Sequence, residues 1–287
     1  MSDAEVPIID ALADVAGLYD VVFCDLWGCY HNGLTPYPAA VSALRAFRAR
    51  GGTVVLMTNA PRTSELVSRH LAAMGAPSDS WDAIISSGDA SLNELAEGRF
   101  GARTHYVGPE RDLAFAHRLP IPLASLDQAD SIFCVGLRDD ESETPAHYAG
   151  EIAAWRDRGL PMLCANPDII VDRGDQRLYC AGALAEAYAA VGGEVTYTGK
   201  PHAPIYRLGR KLVERLRGGG AHRILAIGDG ILTDVLGGVE QGIDTLFVTG
   251  GLAAEAMGGD VEAPEPSRLA GFLRGQPRPT YAIGRLR

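Results

Sequence analysis

The 287-residue sequence predicts an α/β fold, a doubly wound parallel sheet with a second, smaller α/β domain inserted into it. Three observations predict this. Short apolar, β-branched runs alternate with helical stretches along most of the chain. Gly and Pro punctuate short connections between them, as right-handed β-α-β crossovers require. Polar residues gather just beyond the carboxyl ends of the apolar runs, the edge at which open α/β sheets bind ligands.

Taken in order, residues 5–17 carry Ile8, Leu12 and Val15 at helical spacing and predict a short helix beside the first strand. Val21-Val22-Phe23-Cys24 is a buried strand that stops at Asp25 and a glycine-bearing loop. Residues 38–50 predict an amphipathic helix, with Val41, Leu44 and Phe47 on one face and Gly51-Gly52 as its stop. Residues 53–57 form a second strand ending in Thr58-Asn59-Ala60-Pro61, and residues 63–74 a helix. From about Ile84 a separate unit begins, with strands over 104–107, 131–137 and 162–164. The chain returns near Gly192-Gly193 and passes through Gly199-Lys200-Pro201 to a helix over 203–216. A strand over 223–227 leads into Gly228-Asp229 and on to Asp234, residues 244–248 form another strand, and an edge strand lies near Tyr281. The domains predicted are therefore a core of 1–84 and 195–287 and an insert of 85–194.

Composition narrows the function. The chain is 47% hydrophobic, enough for a large core. Its net charge is −10 and it has no basic tract, which argues against nucleic acid or an anionic membrane as partner. The five cysteines lack CxxC spacing and read as reduced, buried thiols. No apolar run approaches the roughly 18 residues of a membrane span, and the acidic amino terminus has no signal-peptide pattern, so a cytoplasmic location is expected. The acidic run at 139–144 reads as a solvated loop.

Asp25, Thr58-Asn59, Lys200, Asp229 and Asp234 all sit at or near strand ends. Singly each has an ordinary reading: a turn cap, a solvated lysine, or an acid favoured by the first turn of a helix. Together they describe one site. Carboxylates of this kind suit Mg²⁺, which takes one or two of them and keeps water or substrate oxygens for the rest. A lysine and a hydroxyl would orient a phosphoryl group, and an aspartate could attack it.

The pieces FCDLWG (23–28), LMTNA (56–60), GKP (199–201) and GDGILTD (228–234) resemble, in order and spacing, the haloacid dehalogenase superfamily. The branch they resemble is the NagD-type, sugar-phosphatase-like class IIA. ANPD (165–168) is similar to that class's cap signature, and the resemblance implies a HAD-like Rossmannoid core with an inserted α/β cap. It also implies that Asp25 is nucleophile and Mg²⁺ ligand, that Asp229 and the Trp27 backbone carbonyl are further ligands, and that Asp234 stands behind them. Thr58 and the Asn59 backbone would hold phosphoryl oxygens, and Lys200 would balance charge. Asn166, Asp168 and Arg173 would read the substrate from the cap. A small phosphorylated metabolite is the implied substrate, and a homodimer the implied assembly.

One residue departs from the pattern. Two positions after the nucleophile these phosphatases usually carry an aspartate general acid, and this chain has Trp27. Indole does not protonate a leaving alkoxide, so an effect worth about 10² to 10⁴ in rate is missing. Three explanations stay open: a good leaving group such as an acyl or aryl phosphate; a substitute acid, His31 or Tyr30; or a catalytically weak phosphate-ligand-binding or regulatory protein. Trp27 could also simply pack against the cap. A dehalogenase is disfavoured because its chemistry does not need the metal that Asp229 and Asp234 imply. A zinc hydrolase is disfavoured because the seven histidines show no HExxH or paired spacing.

Overall fold

The computed structural model describes residues 5–173, 176–258 and 260–287, with the side chains of 172–177 outside that description. In chain order the strands are β1 (Val21–Cys24), β2 (Thr53–Thr58), β3 (Ala83–Ser86), β4 (Thr104–Val107), β5 (Ser131–Cys134), β6 (Met162–Cys164), β7 (Ile170–Arg173), β8 (Gln176–Tyr179), β9 (Val195–Tyr197), β10 (Ile224–Gly228), β11 (Asp244–Val248) and β12 (Tyr281–Ile283). The described residues form two compact units, one of residues 5–58, 67–85 and 206–287, the other of 59–66 and 86–205.

In the first unit six strands lie in the order β12-β11-β10-β1-β2-β3. The pairs β12–β11, β11–β10, β10–β1 and β1–β2 are parallel. Every residue of β1, β2 and β10 is buried, which is why those segments read as unbroken apolar runs. From β1 the chain moves outward to β2 and β3, then returns to β10 on the other flank of β1. The winding direction therefore reverses between β1 and β10, and the carboxyl ends of those two strands are the topological switch point at which open α/β sheets bind ligands.

Helix Pro38–Ala49 follows the predicted pattern. Pro38 opens it without losing a needed N–H, and Ala40, Val41, Leu44 and Phe47 form its buried stripe. Gly51, at φ +85, ends it in a conformation only glycine adopts easily.

Residues 5–17 differ from the helix predicted. They form two 3₁₀ turns, Leu12–Asp14 and Ala16–Leu18, after an extended start. The Ile9 N–H donates to the Ala282 carbonyl at 2.9 Å and the Ala282 N–H to that of Pro7 at 2.9 Å, so backbone pairing along β12 wins over helical propensity. Leu12 and Val15 are buried all the same, because the apolar positions still face the core.

The second unit holds a four-stranded sheet, β4-β5-β6-β9, parallel throughout, and the antiparallel pair β7–β8. Its core centres on Trp155, Tyr148 and Tyr188, with the Trp155 and Tyr188 rings edge-on at 5.9 Å. Residues 195–205, placed with the core from the sequence, fall in this unit. β9 pairs with β6, and the Thr198 N–H continues the ladder to the Cys164 carbonyl at 3.1 Å. No helix among the described residues is long and apolar enough to cross a membrane.

Candidate active site

Parallel register sets the geometry of the first unit's site. Cys24 lies opposite Ile227, and the Asp25 N–H extends the ladder to the Ile227 carbonyl at 2.8 Å. Asp25 and Asp229 thus leave adjacent strands at the point where the winding reverses. One ligand atom from each of Asp25, Cys29 and Asp229 lies within 4.8 Å of the others. Asp25 is half-buried, whereas Cys29 and Asp229 are buried.

Two glycines let the backbone close around Asp229. A Cβ on Gly28 (φ +72), or one on Gly251, would stand 2.0 Å from Asp229 Oδ2. That oxygen accepts the Leu252 N–H at 3.0 Å, which fixes the carboxylate's direction. Asp234 supports the same loop from behind: its Oδ2 accepts the Gly230 N–H and the Thr233 hydroxyl, each at 3.2 Å. It lies in a single π-helical turn, Ile231–Val235, a distortion that recurs at functional sites.

Cys29 is the member of this cluster that sequence reasoning missed. Its signal was present, a thiol four residues after Asp25 on a loop rather than inside a strand. Burial, and then the negative charge of Asp229 and Asp25, push its pKa well above the ordinary thiol value.

The loop after Asp25 folds on itself. Tyr30 and His31 both donate their N–H to the Leu26 carbonyl, and the Gly28 N–H reaches the His31 carbonyl at 3.0 Å. Trp27 is 45% exposed, while Leu26, Cys29, Tyr30 and His31 around it are buried. Its indole meets the His31 ring edge-on at 5.3 Å, and a Cβ on Gly33 would come within 2.3 Å of it. Glycine at 33, with φ +87, therefore lets the indole approach the chain closely there.

Both residues considered as a substitute acid are buried. His31 is buried, and its Nδ1 accepts the Gly33 N–H at 2.9 Å, so Nδ1 carries no proton. Burial pushes its pKa down to about 4, with a smaller contribution from His70. Tyr30 is fully buried with its hydroxyl paired to Ser80 at 2.9 Å, and burial raises its pKa. Both residues shape the loop that presents Trp27.

A stability effect follows. A histidine held neutral below its unfolded pKa lets the unfolded chain bind the extra proton, so stability falls as pH drops from about 6.5 through about 4. The expected loss is about 3 kcal/mol, by 1.36 kcal/mol per pH unit. His31→Asn, which keeps an acceptor for Gly33, should show a smaller decline in denaturant titrations at pH 7 and pH 4. An equal decline in both proteins would contradict the assignment.

The second unit brings together another predicted group. Asn59 follows Thr58 in the chain, and Thr58 is the buried last residue of β2. Asn59 Oδ1 accepts the Lys200 N–H at 2.7 Å, while its Nδ2 donates to the Lys200 carbonyl at 3.1 Å and to Asp168 Oδ1 at 2.9 Å. Gly199 permits this approach, since a Cβ there would be 2.5 Å from Asn59 Oδ1. Asn166 Oδ1 accepts the Asp168 N–H at 3.1 Å, closing an Asx turn. The Asn59 side chain thus fixes the backbone carrying Lys200, beyond the backbone role the resemblance implies. Arg173 lies on β7, and its side chain is outside the described residues.

Comparison with known proteins agrees with this architecture. Residues 22–120 match a family model described as haloacid dehalogenase-like hydrolase, and residues 197–271 match a HAD-hydrolase-like model. A haloacid dehalogenase-like hydrolase structure from Brucella suis 1330 is 39% identical, covering 98% of this chain and 100% of that one with a TM-score of 0.84. The 5′-nucleotidase YutF of Bacillus subtilis is 26% identical over 249 residues, 86% of this chain and 93% of the relative. A glycerol phosphate phosphatase from Mycobacterium tuberculosis, solved in complex with magnesium, shares the fold at TM-score 0.67 and 24% identity, over 93% of this chain and 76% of that one. The relatives with named activities are phosphoric-ester hydrolases, and the fold neighbours are of the class IIA type that the motifs resemble. This chain, with its motif order, its switch-point carboxylates and a full-length relative at 39% identity, belongs to the haloacid dehalogenase-like hydrolase family.

Proposed function

We propose that the protein is a Mg²⁺-dependent phosphatase that acts through an aspartyl-phosphate on Asp25 and favours small phosphorylated metabolites with a good leaving group. The observation that carries this is the placement of Asp25 and Asp229 at the switch point, in a loop whose exposed residue at the general-acid position is Trp27. Two carboxylates converging on one point fit a hard divalent cation, and the magnesium-bound fold neighbour supports the choice. Bound there, the ion would offset the negative charge of the phosphoryl group and of the attacking carboxylate.

In this reading a carboxylate oxygen of Asp25 forms a bond to phosphorus as the phosphorus–oxygen bond to the leaving group breaks. Water then attacks the same phosphorus, freeing phosphate and restoring the carboxylate. Asp234 keeps the 228–230 loop in place, and the resemblance assigns the phosphoryl oxygens to Thr58 and the Asn59 backbone and the balancing charge to Lys200. Without a proton donor at position 27, the departing oxygen must carry its own negative charge. Aryl and acyl phosphates allow that, and the exposed indole offers them a flat apolar surface.

The buried state of Tyr30 and His31 also favours a second reading, ligand binding without efficient turnover. Phosphate release from 4-nitrophenyl phosphate and acetyl phosphate separates the two. Release that needs Mg²⁺, stops with EDTA and falls at least about 100-fold in Asp229→Asn supports the enzyme. Tight binding of a phosphorylated ligand with no release supports the binder, and metal-independent release contradicts the assigned site.

A further inference from the structure

We propose that a cavity beside β12 is a second ligand site, one that takes a small amphiphilic carboxylate, with its aliphatic chain on an apolar wall and its anionic head on two arginines. The cavity measures about 830 Å³, within the range of small-molecule sites. Residues 5–8, beside β12, line it together with the segment 266–278, and none of the residues assigned above to the metal or the phosphoryl group is among them. β12 is the edge of the sheet, two strands from β10, the strand that leads to Asp229.

The apolar wall is preformed. Leu269 is 2% exposed and belongs to a core cluster with Val235, Phe247 and Ala282, against which Val6 and Leu273 also pack. Phe272 stacks on Phe247, ring centroids 5.9 Å apart and planes 10° from parallel, so the helix Pro266–Phe272 is pinned to β11. Ile8 lines the same cavity and bridges to Ala282 through its backbone, yet its residue is left 37% exposed. An aliphatic chain lying in the cavity would take that surface out of water.

Charge selects the head group. The whole chain carries −10, but the charged residues lining this cavity are Arg274 and Arg278 against one acid, Glu5. Gly275, at φ +73, turns the chain after the helix so that both arginines line the same space. Arg268, on that helix, pairs with Glu265 at 2.9 Å, whereas the guanidinium groups of Arg274 and Arg278 have no hydrogen bond or ion pair among the described residues. Two such cations beside an aliphatic wall suit a carboxylate, which matches the donor fork of a guanidinium. A neutral alcohol of the same length would gain nothing from them.

Calorimetric titration of the full-length protein with sodium octanoate tests this, with butanoate as the shorter probe. Octanoate should bind at one equivalent, and butanoate, four methylenes shorter, should bind at least about tenfold more weakly. The double variant Arg274→Gln/Arg278→Gln should weaken octanoate at least about tenfold. Ala270→Trp, which fills the cavity from an exposed position on the helix, should abolish octanoate binding. All three substituted residues are exposed, and thermal unfolding of each variant checks that the fold is kept. Octanoate binding that survives in both variants, or that is no tighter than butanoate binding, overturns the proposal. Absence of binding to wild type at millimolar octanoate overturns it as well. Neither result bears on whether Asp25 and Asp229 hold a cation.

Discussion

Replacing Asp25 with Asn is expected to lower phosphate release from every substrate the protein turns over by about 10⁴-fold or more, a loss of the size seen when covalent nucleophiles are removed. The amide is nearly the same size and would keep its place between the ends of β1 and β10, so the fold should survive. What it loses is the nucleophilic oxygen and one of the two carboxylates facing the metal. Steady-state release on wild type and variant, with circular dichroism to confirm folding, measures this. Hydrolysis at the wild-type rate in Asp25→Asn would remove Asp25 from the chemistry.

Trp27→Asp is expected to act in the opposite direction. A carboxylic acid at this position restores the missing proton donor, and alkyl and sugar phosphates should gain about 10² to 10⁴ in kcat/KM, or roughly 3 to 5.5 kcal/mol of barrier. Aryl and acyl phosphates should gain far less, because their leaving groups need little protonation. Trp27 is 45% exposed and packs on the Gly33 backbone and the His31 edge, so its removal leaves the sheet's core untouched. A variant that loses activity on aryl phosphates and gains none on alkyl phosphates would show that the indole positions substrate and that the missing acid does not set the preference.

Much of this site was legible in the sequence because strand ends are loud signals. A buried apolar run that stops at an aspartate marks both a strand and the edge at which open α/β sheets bind ligands, and the structure places Asp25 and Asp229 at two such neighbouring strand ends. The fold class followed from the same runs. What escaped notice is how particular side chains are placed, which depends on how the chain folds back on itself. Cys29 has the composition of a buried thiol, and only the turn at Gly28 reveals which way it faces. Asn59 reads as a strand-end residue, but its amide binds the backbone of Lys200, 141 positions away. His31 has a suitable ordinary pKa for an acid. Its burial on the inner side of the loop, which no local pattern announces, pushes that pKa down to about 4. The amino-terminal helix failed for a related reason, since pairing of residues 7–9 with β12 involves partners at the two ends of the chain.

The dependence of turnover on leaving-group pKa tests the central claim most directly, that Asp25 works here without a general acid beside it. A series of substituted phenyl phosphates, extended to alkyl phosphates, would be assayed with Mg²⁺ on wild type. Full development of negative charge on the departing oxygen predicts a steep fall in kcat/KM as that pKa rises, with alkyl phosphates nearly inert, and a shallower slope in Trp27→Asp. A flat dependence in wild type, with alkyl and aryl phosphates cleaved alike, would mean that another group donates the proton and would contradict the account.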